Sequence, residues 1–285
     1  MIRYRYALTI AYDGSHLYGF QTQKEGETVQ SKIEHALSTT LRQEIKIQVA
    51  GRTDSGVHAT GQLVSFRTNT EISEPEKFVI SINALSAPYV QVTKFHYVPY
   101  DFHPRFDCIA REYEYFILQS RTPSLFLSPY VWRISDSIRL ADFKHELTDL
   151  LGEHNFTAFT RMKNLDNQRK RYLDKIELTQ KFDPLSGQTL YSIQIRGNAF
   201  LHNMVRILVG SFVDRAAGLV NLSLSDIIKS QDRRLAGHTA PAHALFLRTA
   251  YYPDVLELQS TGLSLIKDYP VFGDSLFKQK LLKLN

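Results

Sequence analysis

Residues 44–68 read EIKIQVAGRTDSGVHATGQLVSFRT. Ile45, Ile47 and Val49 alternate at period two on one side, and Leu63, Val64 and Phe66 form an apolar, β-branched run on the other. The spacing predicts two strands joined through a loop at 50–62. Gly51, Gly56 and Gly61 permit tight or left-handed backbone there, and Asp-Ser-Gly is common turn chemistry in which Asp54 would bond its own backbone. The same loop also gathers Arg52, Asp54, Ser55 and His58. A plain structural turn and a reactive loop both fit these residues.

Working outward, residues 5–12 alternate as a strand, and a polar segment leads to Thr28, an N-cap for a helix with Val29, Ile33, Ala36, Leu37 and Leu41 on one face. Pro75 opens a second helix with Phe78, Val79, Ile82 and Leu85 inward, and strands near 90–98 and 108–118 follow. The order is β, α, β, β, α, β. After the connector RTPSLFLSPYVWRIS the pattern partly recurs: a helix near 140–151, strands KRYLDKIELTQKF and QTLYSIQIRGN joined by DPLSG, a long helix in LHNMVRILVGSFVDRAAG, and a strand LFLRTAYY. The long helix carries a stripe at Leu201, Met204, Val205, Leu208, Val209, Phe212 and Val213, with Gly218 as its stop.

The expected fold is therefore α+β: two halves with mainly antiparallel sheets, each resembling a split βαβ unit, with a cleft between them. Expected boundaries are 1–120 and 121–253, with 254–285 as an extension of no assigned role. The aromatic signature of an RNA-recognition module is absent from both halves.

With 285 residues, 43% apolar and 22% charged, the chain can bury a core, and disorder is a poor fit. No apolar run approaches membrane-span length, and the N-terminus enters an alternating strand rather than a signal-peptide core. Cys108 is the single cysteine, which excludes an intramolecular disulfide framework and a multi-cysteine zinc site and fits a reducing cytoplasm. The scattered histidines, His16, His58, His103 and His202 among them, lack metal-ligand spacing. Net charge is +5, and basic residues cluster in RMKNLDNQRKR, where Arg161, Lys163, Arg169, Lys170 and Arg171 meet only Asp166. That segment reads equally as a phosphate-contacting loop or a solvated surface.

Two further segments carry chemistry. In REYEYFI, Arg111, Tyr113 and Tyr115 share one strand face and Glu112 and Glu114 the other; on this strand alone a half-buried strand with core tyrosines is the favoured reading. In the long helix, Arg206 lies beside the apolar stripe on a line with His202 and Gly210. The bland alternative is a snorkelling arginine, but Gly210 leaves room for another backbone, which would seat Arg206 against a neighbouring element. Ser55 and His58 with Asp54 could suggest a hydrolase triad, although three members within five residues of one loop rarely form the required line of hydrogen bonds.

AGRTDSGVHATGQ closely resembles the catalytic loop of the TruA-type tRNA pseudouridine synthases. AYDGSHLYGFQTQ, FHPRF with AREYEYFI, LGEHNFTAF, HNMVRILVG and TAPAHALFL resemble that family's other motifs, in order, from about residue 6 to 253. Phe20, Asn155 and Ala244 depart from the usual Trp, Asp and Gly. The resemblance implies the pseudouridine synthase fold, with two ferredoxin-like or RRM-like halves, and isomerisation of uridine at positions 38, 39 and 40 in the anticodon arm of tRNA. It also implies a homodimer and no cofactor or metal. By the same resemblance Asp54 is the catalytic carboxylate, as nucleophile or base, and Arg206 is its ion-pair partner. Arg52 fills the gap left by the flipped base, and Tyr113 stacks on the uracil and moves protons. Arg105 and Arg111, which lie in the matched motifs, join the basic cluster as expected RNA contacts. A scaffold that binds structured RNA without activity is the alternative, and intact Arg52, Asp54, Tyr113 and Arg206 argue against it.

Overall fold

The structure is a computed structural model that describes residues 3–161, 169–183, 187–253 and 259–261. Two compact α+β units form, residues 1–110 with 247–285 and residues 111–246. In the first unit, β1 (Tyr4–Tyr12) leads to α1 (Val29–Leu41), β2 (Ile47–Val49), β3 (His58–Thr68), α2 (Pro75–Ser86) and β4 (Val90–Tyr97). β1 pairs antiparallel with both β3 and β4, and β2 pairs antiparallel with β3. The resulting order β4-β1-β3-β2 is the antiparallel split βαβ arrangement expected from the sequence.

Tyr6, Leu8, Ile10 and Tyr12 alternate along β1 and are buried, with Phe66, Phe78 and Phe95 around them. The Tyr6 ring lies 5.1 Å from Phe95, and Phe78 of α2 stands 6.1 Å from Phe95 and 6.2 Å from Phe66. The opposite sheet face buries Ala7, Ala50, Leu63 and Phe102. Thr28 and Ser31 form a reciprocal capping box at the start of α1. In α2 the buried line is Phe78, Val79, Ile82 and Ser86, while Leu85, expected inward, is exposed. Ser86 can be buried because its hydroxyl is within hydrogen-bond reach of the carbonyls of Ile82 and Val90, both at 2.9 Å.

The second unit contains β5 (Ala110–Gln119) from Arg111 onward, β6 (Trp132–Ile134), a 3-10 turn at Leu140–Phe143 running into α3 (Lys144–Thr148), β7 (Gly152–Asn155), β8 (Lys170–Asp183) and β9 (Gln188–Gly197). α4 (Met204–Ala216) and α5 (Leu224–Ser230) follow, and β10 (Leu245–Tyr251) begins in this unit and ends in the first. Its strands run in the order β5-β9-β8-β7, antiparallel throughout, with β6 added parallel to β5. The boundary expected at 120 falls instead at 110, because β5 is paired with β9 along its length from Arg111 to Gln119. α4 starts at Met204, after Asn203 at φ 61, so Leu201 of the expected stripe precedes the helix.

Within the C-terminal extension, β11 (Gln259–Thr261) pairs antiparallel with Phe95–Tyr97 of β4. The rest of the extension lies outside the described residues. No helix among the described residues is long and apolar enough to cross a membrane.

Candidate active site

The crowded stretch is half strand. β3 already begins at His58, so the loop proper is 50–57. Asp54–Val57 form a turn closed by Val57 N–H donating to the Asp54 carbonyl at 3.2 Å, with Gly56 at φ 80 in the third position, as a type II turn requires. The polar groups before the turn are satisfied inward. The Gly51 carbonyl accepts from Gln62 Nε2 at 2.5 Å, and the Thr53 carbonyl accepts from Phe20 N–H at 3.1 Å. Thr53 Oγ1 lies 2.8 Å from the Tyr12 hydroxyl. Thr53 is thereby buried, while Arg52 is exposed and Asp54 half-buried. A turn that has consumed its own backbone bonds presents the Asp54 carboxylate from a fixed frame.

His58 and Ser55 also serve this frame. His58 is 1% exposed, and its Nδ1 lies 3.1 Å from Gly14 N and 3.2 Å from an Asp13 carboxylate oxygen. Ser55 Oγ donates to the Leu17 carbonyl at 3.4 Å. The imidazole of a hydrolase must reach a serine and a solvent-open substrate. His58 faces the 13–14 segment from a buried position, which disfavours that reading. It also shows why YDG and GRTDSG occur together: the first motif cradles the second.

In the second unit, Tyr113 lies on β5 opposite Ile195 and is 8% exposed, its ring edge-on to Phe200 at 5.0 Å. Tyr115, two residues on, is fully buried. Its hydroxyl donates to the Pro241 carbonyl at 2.8 Å, and burial pushes its pKa far up against the opposing pull of the Arg206 charge. Arg206 on α4 donates from Nε to the Ala240 carbonyl at 2.8 Å and from Nη1 to Asn203 Oδ1 at 3.0 Å, and its own carbonyl accepts from Ala240 N–H at 3.1 Å.

The neighbouring element anticipated beside Gly210 is thus the HTAPA loop. A Cβ at Gly210 would stand 2.0 Å from the His238 carbonyl oxygen, so only glycine admits the approach. The other end of the loop is held by Asp214, which accepts from His238 N–H and from its ring, each at 2.8 Å. Gly237 N–H donates to Ser211 Oγ at 2.8 Å. Tyr115, Asp214 and the loop's grip on Arg206 were not read from the sequence, because each partner lies 24 to 126 residues away along the chain.

The expected RNA contacts differ in setting. Arg105 and Arg161 are exposed, and Arg161 Nη2 donates to Thr239 Oγ1 at 3.1 Å. Arg111 donates from Nη1 to the Asn198 carbonyl at 2.9 Å. Lys170 is exposed and 3.4 Å from Glu153. Arg169 is half-buried, as is Arg171, whose Nη1 donates to the Lys170 carbonyl at 2.7 Å and whose pKa burial lowers. Lys163 lies outside the described residues.

A sequence profile described as tRNA pseudouridine synthase matches residues 8–107 and 147–253. The tRNA pseudouridine synthase A of Leptospira biflexa is 40% identical over 256 residues, covering 89% of this chain and 96% of that protein. The tRNA pseudouridine synthase A 2 of Protochlamydia amoebophila is 37% identical over 248 residues, covering 86% and 93%. The tRNA pseudouridine synthase A of Bacillus subtilis is 34% identical over 251 residues, covering 87% and 99%. With the framed Asp54 turn and the loop-seated Arg206 both inside the matched ranges, the chain belongs to the tRNA pseudouridine synthase family.

Proposed function

We propose that this enzyme converts uridine to pseudouridine in the anticodon arm of tRNA, at positions 38, 39 and 40. The reaction breaks the N1–C1′ bond of uridine, turns the uracil and rejoins it through C5. The C5 proton leaves and N1 gains one, so the product is an isomer and no electron acceptor is needed. The observation that carries the reading is the Asp54 turn, a carboxylate on a loop whose backbone carbonyls accept from Phe20 and Gln62 and whose Thr53 hydroxyl pairs with that of Tyr12, within the family match.

Asp54 is assigned as the carboxylate that adds to the base or sugar or removes a ribose proton. Arg206 is assigned as its ion-pair partner. Arg52, exposed beside it in the loop, is assigned to the space left by the extruded base, and Tyr113 to stacking on the flipped uracil and proton transfer. Arg105, Arg111, Arg161, Lys163, Arg169, Lys170 and Arg171 are assigned to the RNA, and the enzyme acts in the cytoplasm as a homodimer.

The test is incubation with undermodified tRNA followed by mapping of pseudouridine. Asp54→Asn keeps the shape of the side chain and removes its nucleophilicity, so turnover should vanish while tRNA affinity stays near wild type. Measurable product from the pure variant would sink the assignment of Asp54.

A further inference from the structure

Thr239 is the meeting point of two guanidinium groups. Arg161 Nη2 lies 3.1 Å and Arg233 Nη2 3.5 Å from its hydroxyl oxygen. Arg233 is fixed by Nη1 donating to the Ala236 carbonyl at 3.2 Å, and it sits in a 3-10 turn, Arg233–Leu235, capped by Asp232. The Asp232 carboxylate is occupied elsewhere: it accepts from the Arg234 amide at 2.9 Å and from Arg234 Nη2 at 2.6 Å. Among the described residues neither Arg161 nor Arg233 forms an ion pair with a carboxylate. The pKa of Arg233 is lowered by burial and then by the charge of Arg161.

Two like charges held at one hydroxyl oppose folding unless an anion joins them. Thr239 Oγ1 accepts from both guanidinium groups, and among the described residues its own proton remains to be donated. Two arginine forks and a hydroxyl proton suit the non-bridging oxygens of a phosphate. The position is informative as well. Thr239 immediately precedes Ala240, which holds Arg206 through both its amide and its carbonyl, and Thr160, beside Arg161, donates to the His202 carbonyl at the entrance to α4.

We propose that Arg161, Arg233 and Thr239 form a binding site for a backbone phosphodiester of the RNA substrate, next to the loop that seats Arg206. The site rests on the reading of the chain as a tRNA-modifying enzyme. It adds Arg233 and Thr239, which the charge pattern of the sequence did not single out. Bound phosphate would relieve the repulsion between the two arginines and hold the HTAPA loop against α4 while the reaction proceeds.

The experiment is filter binding of unmodified tRNA over a salt series, with wild type, Arg161→Gln, Arg233→Gln, the double variant, and Arg139→Gln as a control. Arg139 is an exposed arginine paired with Asp142 at 3.3 Å. Loss of one phosphate contact should lower the slope of log affinity against log salt by about 0.7–0.9 in the double variant and weaken binding roughly tenfold, with Arg139→Gln unchanged. Thr239→Ala should reproduce part of the loss without removing a charge. An unchanged slope and affinity would overturn the proposal. So would a fall in melting temperature with unchanged slope, which would make the cluster a structural prop. Inorganic phosphate is titrated separately, and binding of it that the double variant loses while tRNA affinity does not change would assign the site to free phosphate and overturn the RNA reading. If wild type formed no pseudouridine yet the double variant lost slope, the phosphate site would stand and the isomerase reading would fall.

Discussion

Gly210→Ala separates local helix propensity from tertiary packing, because the two predict opposite signs. In an isolated helix the substitution should stabilise by about 1 kcal/mol. In this fold the new methyl would meet the His238 carbonyl oxygen at 2.0 Å, the His238 carbonyl carbon at 3.0 Å and the Ala240 nitrogen at 3.2 Å. The loop would have to retreat by roughly 1 Å to reach even tight contact. Its ties resist that movement: Ala240 to Arg206 in both directions, His238 to Asp214, Gly237 to Ser211 and Tyr115 to Pro241, all between 2.8 and 3.1 Å. Overpacking against backbone costs about 1–3 kcal/mol, and each tie lost adds about 1 kcal/mol, so after the propensity gain the net loss is about 1–3 kcal/mol. Urea unfolding should show a lower midpoint at unchanged slope, and single-turnover pseudouridine formation should slow because Arg206 moves with Ala240. A midpoint equal to or above wild type would refute the packing of the HTAPA loop on α4. A lower midpoint with an unchanged rate would refute the loop's role in placing Arg206.

Two further outcomes follow from named groups. His96 is buried with Nε2 2.8 Å from Thr9 Oγ1, and burial and the Lys94 charge lower its pKa from 6.5 to about 4. Between pH 6.5 and 4 the unfolded chain therefore binds a proton that the folded chain refuses, so stability falls as pH drops through that window, by about 3 kcal/mol in total. Denaturation of His96→Gln should show a shallower dependence over the same range, and equal slopes would refute the burial argument. Tyr113→Phe keeps the ring and should slow product formation with near-normal binding. Tyr113→Leu should also weaken engagement of the flipped base, by roughly 1–3 kcal/mol if the ring stacks; near-wild-type rates in both would make Tyr113 a core residue.

The sequence by itself determined the local elements, because their signals are short in range. A period-two run marked β1, an apolar, β-branched run marked β3, Thr28 marked the start of α1, Pro75 opened α2, and the turn chemistry of Asp-Ser-Gly placed Asp54 at a bend. The ordered motifs also gave the family, since many short matches in one order are hard to obtain otherwise. Along α2 the local pattern was incomplete: Leu85, one of its apolar positions, is exposed, while Ser86, which the pattern did not mark, is buried with its hydroxyl bonded to the Ile82 and Val90 carbonyls. Periodicity suggested that Gly210 would admit a neighbour, but only the tertiary structure showed that the neighbour is the HTAPA loop and that Arg206 grips it from the same helix. It likewise brought Arg233 beside Arg161, 72 residues earlier in the chain, at the hydroxyl of Thr239. A charge count in one segment registers Arg161 as part of a basic run. It cannot register the second arginine, because their proximity is a product of packing and leaves no local period in the sequence.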